Sequence, residues 1–150
     1  MIAVIQRVSS AKVSVEGKIT GECAEGLCIL LGVAVGDTRE DADALVRKIL
    51  NLRIFEDEAG KMNRSLLDVK GSMLVVSNFT LLASYKKGNR PSYIYAAKPD
   101  IAVPLYEYFC KEMSKSLGKE IGTGEFGADM KVELLNNGPV TICMDTKNKE

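Results

Sequence analysis

With 150 residues, 46% of them hydrophobic and 27% charged, the chain has the size and composition of one folded domain, and we expect a single domain over 1–150. Twenty basic residues balance twenty acidic ones, which excludes a strong overall positive field, so any contact with nucleic acid has to be local. The longest apolar run, 27–35, is too short to cross a membrane, and the first residues lack the pattern of an export signal. We therefore expect a soluble, cytoplasmic protein with no membrane partner.

The sequence contains no histidine. Histidine is the commonest general base and completes the Ser-His-Asp and Cys-His systems, so these mechanisms are excluded. The four cysteines form no Cys-x-x-Cys pair, and without histidine a zinc site has few available ligands. We predict no metal and no cofactor. Any hydrolysis then has to use carboxylates, lysine, hydroxyls, backbone groups or the substrate itself.

The chain begins with a pattern typical of strands. Apolar residues recur at about every second position over 2–8 and 11–15, and the polar residues 16–18 supply a turn, which together predict a β-hairpin. The run 27–35 is nearly all apolar, which predicts a central strand covered on both faces.

A helix and two further strands are predicted next. Thr38 and Asp41 resemble a capping box, and the apolar spacing after them predicts a helix over 39–49. Residues 52–55 return to strand character, and the apolar run 73–82 predicts a second buried strand.

The second half of the chain opens with a long loop. Residues 83–99 are rich in Lys, Gly, Asn, Pro and Tyr and show no period, which is typical of a long loop that is either functional or mobile. A second helix is predicted over 102–117, with Gly118 as its end and Pro104 in its first turn.

Two last strands are predicted at 131–135 and 140–144, joined by four turn-forming residues at 136–139. The resulting order is strands, helix, strands, helix, strands. We therefore predict an α/β fold with a mixed, largely antiparallel sheet that curls toward a barrel and carries two main helices.

The segment Ser77-Asn78-Phe79-Thr80 is the first candidate site. It lies in or just past a predicted buried strand, where two hydroxyls and an amide are costly unless each finds a hydrogen-bond partner. A strand end whose Ser and Thr simply bond to neighbouring backbone explains the segment equally well.

Asn137-Gly138-Pro139 is the second candidate. Peptide bonds before proline are the ones with an appreciable cis population, and glycine relaxes the restriction that proline places on its predecessor. A tight turn with outward-pointing carbonyl groups becomes possible. An ordinary hairpin loop is the alternative, and the sequence alone favours it.

Together the two motifs resemble those of the D-aminoacyl-tRNA deacylase family, also called D-tyrosyl-tRNA deacylases, whose members carry Ser-Gln-Phe-Thr-Leu and Asn-x-Gly-Pro-x-Thr. Here the motifs read Ser77-Asn78-Phe79-Thr80-Leu81 and Asn136-Asn137-Gly138-Pro139-Val140-Thr141. The likeness covers nearly the whole chain in the family's order and spacing. It continues through segments 3–8, 49–68, 90–92, 96–97 and 126–132.

The resemblance implies the family's fold and a homodimer with active sites at the subunit interface, each holding the 3′ end of an aminoacylated tRNA. It implies catalytic roles for Ser77 and Thr80, whose hydroxyls line the reaction centre. The residues that it implies in substrate binding are Arg7, Asn78, Phe79, Met130, Asn137, Gly138 and Pro139.

In the family the Gly-Pro bond, matching Gly138-Pro139, is cis and reaches into the partner's site. Its carbonyls capture the substrate amino group, and the backbone leaves no room for an L side chain. Arg7 matches the residue that holds this turn, and Phe79 matches the aromatic beside the adenine. The function implied is hydrolysis of the ester between a D-amino acid, or glycine, and the terminal adenosine of tRNA, which amounts to chiral proofreading.

The chemistry implied is assistance by the 2′-hydroxyl of the terminal adenosine. Thr80 as a covalent nucleophile is an older alternative, but it lacks an obvious base in this sequence. Position 78 departs from the family because Asn replaces Gln, which puts a side-chain contact to substrate in doubt. Lys86, Lys87 and Arg90 could meet tRNA phosphates, although a short basic run in a loop is more often solvated surface.

Two other functions stay open at the level of sequence. One is a non-catalytic RNA-binding or chromatin-associated module on the same scaffold, since a fold does not fix a function. The other is a sibling deacylase that removes L-alanine from mischarged tRNA, with a trans Gly-Pro bond and a wider pocket.

Overall fold

Strands outnumber helices in this chain. Within residues 1–148, the part that this computed structural model describes, there are eight strands, three α-helices and one short 3₁₀-helix. The strands are β1 (Ile2–Val15), β2 (Lys18–Cys23), β3 (Gly26–Gly32), β4 (Phe55–Glu56), β5 (Met62–Arg64), β6 (Ser72–Ser77), β7 (Gly122–Thr123) and β8 (Lys131–Asp145). The helices are α1 (Arg39–Asn51), α2 (Leu66–Val69), the 3₁₀-helix (Phe79–Leu82) and α3 (Pro99–Leu117).

Strand β1 is the centre of the main sheet. It pairs antiparallel with β2 and β3 on one edge and with β8 on the other. Beyond β3 the sheet continues through β6 and β7 with parallel pairing, and β7 lies against β2, so that the sheet nearly closes. The predicted mixed, largely antiparallel sheet that curls toward a barrel is therefore confirmed.

The two faces of the sheet bury different sets of side chains. On one face, Ala3 and Ile5 of β1 pack with Ile29 of β3 and with helices α1 and α3, where Phe109 is fully buried. On the other face a smaller cluster has no helix over it. Its buried members are Val8, Ala11, Val13, Cys28, Leu74 and Val76. The helices thus cover only one side, which leaves the other open.

The start of α1 follows the sequence prediction, and its end lies two residues further on. Thr38 and Asp41 form the predicted capping box, with the backbone N–H of Thr38 donating to the Asp41 carboxylate at 2.9 Å. The predicted helix 39–49 is confirmed and extends by two residues to Asn51. Leu52 terminates the helix, and of the predicted strand 52–55 only Phe55 pairs with a neighbour, so that prediction was wrong over 52–54.

Helix α3 begins earlier than the sequence predicted. Pro99 takes its first position and Gly118 ends it in the left-handed conformation at φ +77°, as expected. Pro104 therefore lies in the second turn and not in the first, which corrects the prediction. At that position the missing N–H removes one intrahelical hydrogen bond.

Two strand predictions also need correction. The run 73–82 is a strand only as far as Ser77, and its last four residues form the 3₁₀-helix instead. The segments 131–135 and 140–144 are not a hairpin, because both belong to β8 and both pair with β1. Long-range pairing with β1 has overridden the turn preference of residues 136–139.

A buried ion pair fixes the start of β1. The amino group of Met1 lies 2.8 Å from the Asp37 carboxylate, with both groups fully buried, and donates to Thr146 Oγ1 at 2.8 Å. Thr146 in turn donates to Asp41 at 2.6 Å, and Lys147 lies 3.2 Å from the same carboxylate. Although burial raises the pKa of Asp41, its hydrogen bonds from Thr146, Thr38 and Lys147 outweigh that effect and lower the pKa to about 2.

Candidate active site

The first motif lies where strand β6 ends. Ser77 is its last residue, Asn78 caps the 3₁₀-helix, and Phe79 and Thr80 form the exposed first turn of that helix. The sequence prediction that these residues lie at or just past a buried strand is therefore confirmed. Ending the strand here turns the polar side chains toward solvent, where a ligand can reach them.

A local hydrogen-bond arrangement shapes this turn. The side-chain oxygen of Asn78 accepts from the Thr80 hydroxyl at 2.5 Å and from the Thr80 backbone N–H at 3.2 Å. The hydroxyl proton of Thr80 is thereby committed to an amide oxygen, while its oxygen remains able to accept a hydrogen bond. Asn78 is thus a positioning residue for Thr80 in this chain.

Glycine at position 32 brings this turn close to strand β3. A Cβ added to Gly32 would lie 2.6 Å from Leu82 Cδ2 and 3.0 Å from the backbone oxygen of Asn78. The backbone N–H of Asn78 also donates to the carbonyl of Leu31 at 2.8 Å. The motif is therefore anchored to the centre of the sheet by backbone contacts.

An open cavity of about 420 Å³ lies beside the motif, on the face of the sheet that the helices leave uncovered. Its lining brings together Ser77, Asn78 and Phe79 with Met130, as the resemblance implies. The other lining residues are Gln6, Leu30, Val76, Phe126, Gly127, Ala128, Asp129, Val132 and Leu134. Of the groups that line this cavity, only Asp129 is titratable, and it pairs with Lys131 at 3.3 Å.

Tyr106 of helix α3 positions the aromatic wall of the cavity. Its ring packs edge-on against Phe126 with centroids 5.9 Å apart, and its hydroxyl donates to the carbonyl of Val75 at 2.7 Å. Burial, with a smaller contribution from Cys110, raises the pKa of Tyr106 far above its usual range. The phenol therefore stays neutral and holds Phe126 against β6.

The second motif is a bulge in strand β8. Gln6 of β1 pairs with Thr141 and Val8 pairs with Asn136, so four residues of β8, 137–140, stand opposite the single residue Arg7. Extra residues in one strand are left out of the hydrogen-bonded pairing between the strands, and the strand bends there. All four positions from Asn136 to Pro139 are exposed, and the Gly138–Pro139 bond is cis, as the resemblance implies.

Arg7 holds the bulge from below. Its Nε donates to the carbonyl of Asn137 at 2.8 Å, and its Nη1 donates to the carbonyl of Ile54 at 2.7 Å. Only 6% of Arg7 is exposed, so these contacts are shielded from water. Planar guanidinium donors of fixed geometry leave the bulge little freedom to rotate.

Position 138 accepts only glycine without strain. Its φ of +138° is disfavoured for L residues. A Cβ there would also lie 2.9 Å from the backbone nitrogen of Val140 and 3.1 Å from Arg7 Nη2. Any side chain at this position would disturb both the bulge and the arginine beneath it.

The two motifs of one chain do not face each other. Neighbouring residues of a strand point to opposite faces, and Gln6 lines the cavity while Arg7 holds the bulge. Arg7 also contacts Ile54, which belongs to the core on the helix-covered face. Arg7, Asn137, Gly138 and Pro139 are therefore brought together, but away from Ser77, Asn78, Phe79, Thr80 and Met130.

Nine residues that line the cavity were not among the predicted site residues, and of these Gln6 and Phe126 contribute an amide and an aromatic ring. Both lie in segments that carry the family resemblance, 3–8 and 126–132, which was the signal that could have identified them. Their side chains gave no such signal alone, since glutamine in a strand and phenylalanine in a polar segment are both common.

Comparison with known proteins identifies the family. A family described as D-Tyr-tRNA(Tyr) deacylase matches residues 4–145. Proteins named D-aminoacyl-tRNA deacylase from Phocaeicola vulgatus and Bacteroides thetaiotaomicron are 67% and 65% identical over 150 residues, with both chains covered completely. The chain belongs to the D-aminoacyl-tRNA deacylase family.

Solved structures agree with this fold. One named "c-Myc DNA Unwinding Element Binding Protein" is 40% identical, with a TM-score of 0.90 over 97% of this chain and 99% of the other. A second, named "Structural Analysis of a probable eukaryotic D-amino acid tRNA deacylase", superimposes with a TM-score of 0.83 over 95% of this chain and 97% of the other. Its 16% identity makes it a likeness of fold alone.

Metal-binding clusters and membrane-spanning helices are both absent from the described part of the chain. Within residues 1–148, no cluster of three or more Cys, Asp or Glu side chains is placed to hold a metal ion. In the same residues no helix is both long and apolar enough to span a membrane.

Proposed function

We propose that this protein hydrolyses the ester bond between a D-amino acid and the 3′-terminal adenosine of tRNA, acting in the cytoplasm. The observation that carries the proposal is the cavity lined by Ser77, Asn78 and Phe79, with Thr80 bonded to Asn78 although it does not itself line the cavity, in a chain whose family relatives bear the name D-aminoacyl-tRNA deacylase. Phe79, with 54% of its surface exposed at the cavity edge, offers a ring on which the adenine can stack.

The surroundings of Thr80 favour assistance from the substrate over a covalent intermediate. The hydroxyl of Thr80 donates to an amide, which is no base, and the carboxylate of Asp129 is paired with Lys131. In the proposed step, water attacks the ester carbon as the bond to the 3′-oxygen breaks, and the 2′-hydroxyl of the ribose relays a proton to that oxygen. The Ser77 hydroxyl donates to the oxygen on which negative charge develops, while the Thr80 hydroxyl oxygen, whose proton is held by Asn78, accepts a hydrogen bond from the attacking water and orients it.

We further propose that the active unit is a homodimer in which the bulge of one protomer completes the cavity of its partner. The support is the position of Gly138 and Pro139 on the face opposite to their own chain's cavity, exposed to solvent. In a two-fold dimer the same pair of surfaces meets twice, which gives two equivalent sites. The backbone carbonyls of the bulge are then free to accept hydrogen bonds from the substrate amino group.

Selection by backbone atoms explains rejection of L-aminoacyl groups. The backbone of the bulge is held by Arg7 and cannot move aside for a substrate side chain that points toward it, whatever that side chain is. One filter would then reject all L residues while it accepts many D residues. Glycine has no side chain to clash, so we expect glycyl-tRNA to be cleaved as well.

The test is a deacylation assay with D-tyrosyl-tRNA and L-tyrosyl-tRNA under single-turnover conditions. The proposal requires rapid release of D-tyrosine and a rate for the L ester close to that without enzyme. Glycyl-tRNA serves as a third substrate, and its survival at high enzyme concentration would contradict the backbone filter. Equal cleavage of both tyrosyl esters would contradict it as well.

A nucleic-acid-binding role without catalysis is the alternative. It is favoured by the 40% identical solved structure, whose name describes a protein that binds a DNA unwinding element. This alternative predicts that the protein binds D-tyrosyl-tRNA without releasing tyrosine. Preference for L-alanyl-tRNA in the same assay would instead indicate the sibling deacylase.

A further inference from the structure

The exposed aromatic residues of this protein are gathered in one segment. Among residues 1–148, every aromatic side chain classed as exposed lies between positions 79 and 95: Phe79, Tyr85, Tyr93 and Tyr95. Tyr85 is the most exposed of them at 81%, and a group of exposed rings marks an interaction site where a single exposed ring would not. We call these four side chains the aromatic platform.

The same segment carries positive charge with no acid to balance it. No Asp or Glu occurs between Asp68 and Asp100, although acidic residues make up 20 of the 150 positions. From position 79 to position 99 the exposed basic residues are Lys86, Lys87, Arg90 and Lys98. A chain with no net charge therefore has a local positive surface around its exposed aromatic rings.

Backbone pairing holds this segment in place. Ser84 and Ser92 exchange two hydrogen bonds of 2.8 Å, which closes the basic loop between them. The carbonyl of Tyr95 accepts from Val35 N–H at 2.9 Å, which ties the far end to the chain after β3. The platform is therefore a preformed surface, which reduces the entropy lost on binding.

A ring contact joins the platform to the cavity. Tyr93 packs edge-on against Phe79 with centroids 5.0 Å apart, and Phe79 lines the cavity. A chain whose last residue enters the cavity would continue outward over Tyr93 toward the basic loop.

We propose that the three tyrosines of the aromatic platform, together with Lys86 and Lys87, bind the unpaired nucleotides that precede the terminal adenosine of the tRNA. This inference rests on the proposed function, because it places the adenosine at Phe79. Aromatic rings stack on any base and lysines neutralise phosphates, which is the combination that recognises single-stranded nucleic acid. Tyr85, Tyr93 and Tyr95 supply the rings, and the loop between Ser84 and Ser92 supplies the charge.

Charge favours nucleic acid over a second copy of the chain as the occupant. A two-fold contact through this surface would bring two sets of lysines together, and like charges repel. A polyanion with exposed bases satisfies both the charge and the rings.

Binding of an uncharged acceptor-stem minihelix, meaning one without an amino acid, tests the platform without catalysis. We expect the wild-type protein to bind a minihelix with its unpaired 3′ nucleotides more tightly than a blunt one. Tyr85→Ala should remove that difference and weaken binding of the first by about fivefold or more, since a base stack is lost. The matched control is Ile19→Ala, which truncates an exposed apolar residue on β2.

The charge arm compares two double variants of equal net charge. Lys86→Glu with Lys87→Glu should reduce the slope of log affinity against log salt by about 1.4, which corresponds to two phosphates of a single strand. Lys111→Glu with Lys115→Glu, on the exposed side of α3, should leave the slope unchanged. Equal behaviour of the two double variants would overturn the proposal, as would dissociation of the Tyr85→Ala variant into monomers, which would make the platform an interface between copies.

Hydrolysis of two substrates separates this inference from the proposed function. With D-tyrosyl-tRNA the platform variants should show a raised KM, while with 3′-D-tyrosyl-adenosine, which lacks the preceding nucleotides, they should match the wild type. Loss on both substrates equally would overturn the platform. A wild-type protein that cleaves neither substrate would refute the proposed function, and the minihelix comparison would still decide the platform.

Discussion

The two motifs of this chain are held in place in different ways. Thr80 is positioned by Asn78, two residues away, within a turn that caps itself. The bulge at Gly138 is positioned by Arg7, whose side chain bonds to a residue 130 positions later. The geometry of the first motif depends on neighbouring residues, whereas that of the second depends on the whole sheet. A substitution that disturbs the sheet should therefore displace the second motif more than the first.

The most damaging change should be Arg7→Met, which breaks the long-range support. It leaves the buried carbonyl of Ile54 without a donor, at about 1–3 kcal/mol, and it removes the support of the exposed bulge at Asn137. We expect a loss of about 1–3 kcal/mol in the free energy of unfolding and about 100-fold in deacylation rate.

Urea unfolding and single-turnover deacylation measure the two effects of Arg7→Met. Arg53→Met is the matched control, since Arg53 also donates twice, to Asn63, but on the exposed surface. A variant at position 7 that is as stable and active as this control would show that the bulge needs no support from β1.

Gly138→Ala should act on the bulge alone. The added Cβ meets Val140 and Arg7 in a backbone conformation that alanine rarely adopts, which costs about 1–3 kcal/mol. We expect deacylation of D-tyrosyl-tRNA to slow by about tenfold or more because the carbonyls move. The control is Gly60→Ala, where φ is +79° but open space surrounds the added atom, in a turn outside both motifs and the basic loop. A normal rate for Gly138→Ala would remove the bulge from the active site.

Thr80→Ala should affect chemistry and leave stability almost unchanged. Thr80 is exposed, so we expect a free energy of unfolding within about 0.5 kcal/mol of the wild type, and turnover slower by about 10-fold to 100-fold because the attacking water loses an oriented acceptor. Thr80→Ser, which keeps the hydroxyl that donates to Asn78, should restore most of the rate. Intact-mass spectrometry of quenched reactions should find no acyl-enzyme, and an acyl-threonine adduct would make Thr80 the nucleophile.

Lowering the pH should have the smallest effect, a loss of stability through the contact between Asp41 and Thr146, which lie far apart in the sequence. The pKa of Asp41 is about 2 in the folded protein, below its ordinary value of 3.8, so its contribution is complete above about pH 4 and is lost as the pH falls through 2. That contribution is at most about 2 kcal/mol. Thr146→Val removes one of the hydrogen bonds and should flatten this dependence, which thermal unfolding between about pH 2 and 6 would measure. An unchanged pH profile in Thr146→Val would contradict this assignment.

Local signals in the sequence predicted much of the fold. The capping box at Thr38, the turn after Val15 and the glycine that ends α3 each depend on a few neighbouring residues, and each was found where expected. The strand predicted over 79–82 was wrong. The Asn78 side chain caps a 3₁₀-helix there, and the pattern of apolar residues that predicted the strand does not show such a cap.

Features that depend on distant contacts were not visible in the sequence. Residues 136–139 favour a hairpin by every local rule, yet both flanking segments pair with β1, so that residues 137–140 form a bulge opposite Arg7. Nothing near Gln6 indicates that it lines the cavity, because the strand that carries it is far from the first motif along the chain. Residue chemistry alone identified the two candidate motifs. The roles of individual residues within them came from the family resemblance.

The most direct test of a site shared between two protomers is complementation. Thr80→Ala and Gly138→Ala proteins, each slower than the wild type by about tenfold or more and each shown to be a folded dimer, are mixed under conditions that exchange subunits. If the bulge of one protomer serves the cavity of the other, each mixed dimer has one intact site, and an equal mixture should recover about a quarter of wild-type activity. A mixture no more active than its components would show that each chain completes its own site, which contradicts the account.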